Sequence, residues 1–158
     1  MKKLLLLCAL LSMTGAGFAQ KKKDLKKNSI RTVTVLDVAG SKTITDSKST
    51  YDAKGQLLEE INYDKDGTLK STKKYKYNKD GETIEETHYD EENSLKVRQV
   101  MMYNALGEKV EELEYDKDAV LMKRISYTYD KRGLRSEKKT YDSNKMLVST
   151  KKTIYDTK

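Results

Sequence analysis

The chain has 158 residues and a formal net charge of +7, lacks proline, and is only 36% hydrophobic. So little apolar material excludes a thick core, and one cysteine, Cys8, excludes an internal disulfide. The length suits one folded domain.

In chain order, the first feature is "MKKLLLLCALLSMTGAGFAQ". Lys2 and Lys3 form a basic start, Leu4 to Leu11 a short apolar run, and Gly17 and Ala19 the small residues before a cleavage site. This reads as a secretory signal peptide over residues 1–19, with cleavage between Ala19 and Gln20. Its apolar run is too short to span a membrane, and no other apolar run follows. Cys8 follows Leu7 rather than a small residue, so it reads as part of the apolar run and not as a lipid anchor. Cleavage removes only Lys2 and Lys3 among the charged residues and leaves a net charge of +5. The expected location is the periplasm, the cell surface or the medium.

Residues 20–29 contain "KKKDLKK" and read as a flexible basic segment, able to touch anionic envelope components weakly. Nucleic acid is not an expected partner. The protein is exported, and its later basic residues are interleaved with acidic ones.

Residues 30–158 form a repeat domain. Tyrosines stand at 51, 63, 77, 89, 103, 115, 129, 141 and 155, with spacings alternating between 12 and 14. The unit is therefore 26 residues, present four times. Asp or Asn follows every one of these tyrosines, and Gly stands four after Tyr at Gly55, Gly67, Gly81, Gly107 and Gly133. A degenerate earlier copy, "LDVAG", starts at Leu36. In Tyr-Asx-x-x-Gly the Asx side chain can bond the backbone ahead of it. The Gly accepts the left-handed conformation that closes a three-residue hairpin loop. Each Tyr then ends a strand. The predicted fold is all-β: an antiparallel meander of about nine strands, as a single layer or curled. Tyr63 should face Leu69, Ile61 Ser71, Glu59 Lys73 and Leu57 Tyr75.

That register places Tyr63, Tyr75, Tyr77, Tyr89, Tyr103, Tyr115, Tyr127 and Tyr129 on one face, a candidate partner-binding surface for a protein or glycan. The opposite face is expected to carry Glu60, Lys70, Lys74, Lys76, Glu86, Arg98, Glu112 and Arg124, with Leu58, Ile84 and Val110 as a thin apolar row. Charge also alternates by strand. "LLEEI", "TIEET" and "KVEELE" are acidic, whereas "KSTKKYK", "KVRQ" and "MKRI" are basic. The fourth acidic position breaks the rule with "SEKKT".

"YKYNKDG" and "YTYDKRG" resemble the Tyr-Asp repeats of the Rhs and teneurin type over residues 51–156. More loosely, the chain is similar to the MORN-variant repeats of the YwqK-type antitoxin family. The resemblance implies β-hairpin repeats in secreted or surface proteins, and supplies no active site.

Catalytic patterns are weak. His88 is the only histidine, and Asn62, Glu114 and Thr140 hold its place in other units. Glu59, Glu85, Glu111 and Glu137 form a carboxylate row that the repeat itself explains. "DKDG" at 64–67 begins like a calcium loop, but the twelfth position is Tyr75 rather than Glu. No catalytic residue, cofactor or metal site is therefore expected. The expected function is a binding or structural module of the cell envelope. A periplasmic antitoxin-like neutraliser comes second and a hydrolase last.

Overall fold

The computed structural model describes residues 16–156. Most of the expected signal segment, Cys8 included, lies outside them. One helix, α1 (Ala16–Lys27), precedes ten strands: β1 (Thr32–Ala39), β2 (Lys42–Tyr51), β3 (Leu57–Tyr63), β4 (Leu69–Tyr77), β5 (Thr83–Tyr89), β6 (Leu95–Tyr103), β7 (Lys109–Tyr115), β8 (Leu121–Tyr129), β9 (Arg135–Asp142) and β10 (Leu147–Lys152). They form one open antiparallel sheet in sequence order, β1 to β10. The fold is the predicted meander, with ten strands rather than nine because the degenerate "LDVAG" copy closes a β1–β2 hairpin of its own. Segment 20–29 is helical through Lys27 rather than an open tail. Leu25 anchors the helix, buried to 5% exposure.

Eight loops from Asp52 to Met146 repeat one network. In the loop after Tyr63, the Asp64 amide donates to the Thr68 carbonyl at 3.0 Å and the Gly67 amide to the Asp64 carbonyl at 3.0 Å. Asp64 Oδ1 then accepts from the amides of Asp66 and Thr68, at 2.8 and 3.0 Å. Asn78 and Asn104 do the same through their amide oxygens, each at 3.0 Å. One side-chain oxygen thus satisfies two loop amides that no strand partner can reach.

The fourth loop residue is left-handed throughout: φ is 75° at Gly55 and 82° at Gly67, but also 59° at Asn93, 61° at Ala119 and 63° at Lys145. Loops following the longer strands, β2, β4, β6 and β8, all keep Gly, and at two of them a side chain would meet a neighbour at once. A Cβ on Gly55 would sit 2.8 Å from the Lys22 carbonyl oxygen, and one on Gly107 would sit 2.8 Å from Glu82 Oε1. These loops stack along one edge of the sheet, each against its predecessor 26 residues back, with α1 standing in for the predecessor of the first.

The structure corrects the register beyond each first pair. Tyr63 does face Leu69, but Asn62 then pairs with Ser71, Ile61 with Thr72 and Glu59 with Lys74. Lys70 is skipped. The same skip occurs in every hairpin that follows a repeat tyrosine, at the residue seven after Tyr: Leu58, Ile84, Lys96, Val110 and Met122 among others. Leu58, Ile84 and Val110 are therefore bulge residues rather than an apolar row. Each bulge puts two residues opposite one and flips the parity of all that follows.

Two outcomes test this loop. Gly55→Ala should cost more than the ~1–2 kcal/mol of left-handed strain, because backbone at Lys22 must also move, whereas Ala119→Gly should gain up to about 1 kcal/mol. Equal melting shifts for the two would contradict the stacking. The second concerns acid. The Thr68 hydroxyl and loop amides hold Asp64 below its ordinary 3.8. Lys96 and the Ser94 amide do so for Asp90, and the Leu134 amide and Arg132 for Asp130. Depressed carboxylates stabilise above their unfolded pKa, and this is lost as pH falls through the folded value. Replacing all three by Asn keeps the acceptor oxygen. Melting near pH 7 should then fall toward the parent's acid value, while the further fall from pH 5 to about pH 2 should be shallower than in the parent. An unchanged acid limb would sink the assignment.

Candidate interaction surfaces

Because opposite residues share a face and side chains alternate along a strand, the pairings sort the tyrosines. Tyr63, Tyr89, Tyr115 and Tyr141, which end or nearly end the shorter strands, lie on one face with Glu59, Lys74, Lys76, Glu85, Arg98, Glu111 and Arg124. We call it the Tyr89 face. Tyr51, Tyr75, Tyr77, Tyr103, Tyr127 and Tyr129 lie on the other, the Tyr77 face, with Glu60, Glu86, Met101 and Glu112. The single tyrosine face expected from the sequence does not exist. Tyr63, Tyr89 and Tyr115 are separated by the sheet from Tyr75, Tyr77, Tyr103, Tyr127 and Tyr129. Lys74, Lys76, Arg98 and Arg124 share a face with tyrosines rather than opposing all of them.

On the Tyr89 face three of the four rings, Tyr89, Tyr115 and Tyr141, sit beneath a cation of the neighbouring strand. Lys74 Nζ lies 5.3 Å from the Tyr89 ring centre, and the Arg98 and Arg124 guanidinium groups lie 4.8 and 5.3 Å from Tyr115 and Tyr141. The same cations meet the carboxylate row: Lys74 with Glu59 at 3.6 Å, Lys76 with Glu85 at 2.6 Å, Arg98 with Glu85 at 3.6 Å, and Arg124 with Glu111. Those glutamates, read from the sequence as a repeat feature, are partners for cations. Exposed pairs of this kind stabilise little individually and chiefly set strand order.

On the Tyr77 face the edge tyrosines fasten the sheet. The hydroxyls of Tyr77, Tyr103, Tyr129 and Tyr155 donate to the carbonyls of Leu57, Thr83, Lys109 and Arg135, at 2.7, 3.0, 2.9 and 3.1 Å. Each bond reaches back 20 residues to the start of the preceding strand. Tyr127, 8% exposed, donates to Glu112 Oε2 at 3.1 Å, and Lys109 Nζ meets the same oxygen at 2.8 Å. Burial, with Glu112 adding to it, pushes the Tyr127 phenol up to about 12. Burial raises Glu112 as well, but hydrogen bonds from Lys109 and Tyr127 leave it net below its ordinary value. His88 has Glu86 Oε1 at 2.6 Å from its Nε2.

Two clefts open on the Tyr77 face, at its two ends. One, of about 330 Å³, lies between α1 and β2–β4, lined by Leu25, Tyr51, Tyr75 and Tyr77. The other, of about 490 Å³, lies over β8–β10, lined by Tyr129, Arg135, Lys138, Lys151 and Tyr155. Among the described residues no cluster of three metal-ligating side chains occurs, and no helix is long and apolar enough to cross a membrane.

No family model and no curated protein matches the chain. Among solved structures, it overlaps a porin-like protein from Bacteroides uniformis at 13% identity and a TM-score of 0.41, over 76% of this chain and 49% of that one. It overlaps TarM from S. aureus at 14% identity and a TM-score of 0.32, over 85% of this chain and 24% of that one. A Bacteroides fragilis protein of unknown function overlaps at 19% identity and a TM-score of 0.23, over 80% of this chain and 96% of that one. The chain thus spans about half of the porin-like chain and a quarter of TarM. Scores this low carry no functional inference.

The two faces differ in how they use the phenol. Tyr103→Phe deletes a bond to the backbone and should cost about 1 kcal/mol, whereas Tyr115→Phe deletes a hydroxyl with no partner among the described residues and should cost close to nothing. Equal melting losses for the two variants would contradict the division.

Proposed function

We propose that the protein is an exported binding module of the cell envelope, offering side-chain surface on both sides of a thin sheet rather than a reaction centre. One observation carries the reading: among the described residues, no large side chain is fully buried. Main-chain ladders, loop networks and cross-strand pairs hold the sheet together, and both faces stay open. Tyrosine rings beside arginine, as at Tyr115 and Tyr141, are the kind of group enriched at contact surfaces. Export is inferred from the sequence of residues 1–19.

The test is fractionation of the host expressing the full chain with a C-terminal tag. The tagged protein should begin at Gln20 by N-terminal mass spectrometry and should sediment with envelope fragments. A cytoplasmic product retaining Met1 would overturn export. Recovery as a stoichiometric complex with one small protein would overturn the module reading in favour of a neutraliser.

A further inference from the structure

The alternation of acidic and basic strands fails once, in β9. Glu60, Glu86 and Glu112 hold one position of successive units, and the next residue in that row is Lys138. Arg135 stands where Lys109, Thr83 and Leu57 stand in earlier units, and Lys151 where Ile125, Gln99 and Lys73 stand. The register sets Lys138 between Tyr127 and Lys151, so two lysines face each other across neighbouring strands. Like charges directly opposite are destabilising, and the sheet avoids them elsewhere.

The adjacent carboxylates are already engaged: Glu112 with Lys109 at 2.8 Å, and Glu137 with Lys139 at 2.8 Å. Arg135 and Lys138 lie 4.9 and 5.9 Å from the Tyr127 ring centre. Together with Lys151 they line the 490 Å³ cleft, where Tyr129 and Tyr155 supply aromatic walls. Both phenols are tied to backbone carbonyls, which fixes their rings in place.

We infer that this cleft binds an acidic glycan, with a carboxylate or sulfate held by Arg135, Lys138 and Lys151 and a sugar ring against Tyr129 or Tyr155. The inference rests on the binding-module reading and supplies its ligand class. Among the described residues Arg135, Lys138 and Lys151 form no ion pair, and Glu112, which feels the Lys138 charge, is bonded to Lys109 and Tyr127, so an external anion adds the closer counter-charge. The cleft has the volume of a small-ligand site rather than of a protein interface, which favours a saccharide unit over an acidic protein. The cleft at the other end of the same face is partly covered by α1 and has Lys22 as the cation in its lining, against three cations here.

The experiment is calorimetric titration of the purified chain, at physiological ionic strength, with oligogalacturonate, sulfated dextran oligosaccharide, neutral dextran and poly-glutamate. One or both acidic saccharides should bind, distinguishing carboxylate from sulfate preference, and neutral dextran should not. Lys138→Glu restores the acidic row and gives Lys151 a partner. It should weaken binding about tenfold or more, from loss of a charge-assisted contact, without lowering the melting temperature. Replacing Lys54, Lys65 and Lys79 by Gln lowers net charge more but should weaken binding by less than about threefold. Absence of binding by the parent, equal weakening by both variants, or tighter binding of poly-glutamate would overturn the proposal. Envelope retention of Lys138→Glu alongside any of those results would sink the cleft while leaving the module reading intact.

Discussion

One acceptor oxygen, repeated eight times, carries this fold. The Asx side chain after each strand-ending tyrosine takes two loop amides, at Lys54 and Gln56 in the first loop and at Asn144 and Met146 in the last. With those amides satisfied, the chain reverses in three residues without a hydrophobic nucleus. The low apolar content follows from that arrangement. A meander of hairpins makes its contacts between sequence neighbours, so little burial between distant segments is needed to hold it.

The constraint propagates outward from the loops. Identical hairpins put equivalent residues at equivalent heights, so one Tyr–carbonyl bond recurs at Tyr77, Tyr103, Tyr129 and Tyr155. Repetition would equally permit strands to pair out of order. The alternation of glutamate-rich and lysine-rich strands disfavours that, since a slip by one strand sets like charges together. The loops along the Gly55 edge all carry Gly, and at Gly55 the contact with backbone at Lys22 leaves no room for a side chain, whereas the opposite edge carries Asn93, Ala119 and Lys145 in the same left-handed conformation.

Thin sheets leave their faces to be used. The Tyr89 face neutralises itself ring by cation and cation by carboxylate. The Tyr77 face does so until β9, where Lys138 replaces the expected glutamate and the aromatic row ends in a basic cleft. A local departure from a repeat weakens the sheet slightly where it occurs, and that makes it informative about binding.

The sequence by itself determined the meander, the loop chemistry and the pair at each hairpin mouth, because Tyr-Asx-x-x-Gly acts over five residues and needs no distant partner. It also displayed the charge alternation and its break at "SEKKT". The division of the tyrosines between two faces was not legible. It depends on one skipped residue per hairpin, and that position holds Leu58, Lys70, Ile84, Lys96, Val110 or Met122 with no shared chemistry. The docking of α1 was hidden for a similar reason, since Leu25 alone among lysines reads as a solvated tail until Tyr51 is placed beside it. The cleft over β8–β10 was decided last of all. Arg135, Lys138, Lys151 and Tyr155 come from separate stretches, and only the parity set by the bulges turns them to the same side.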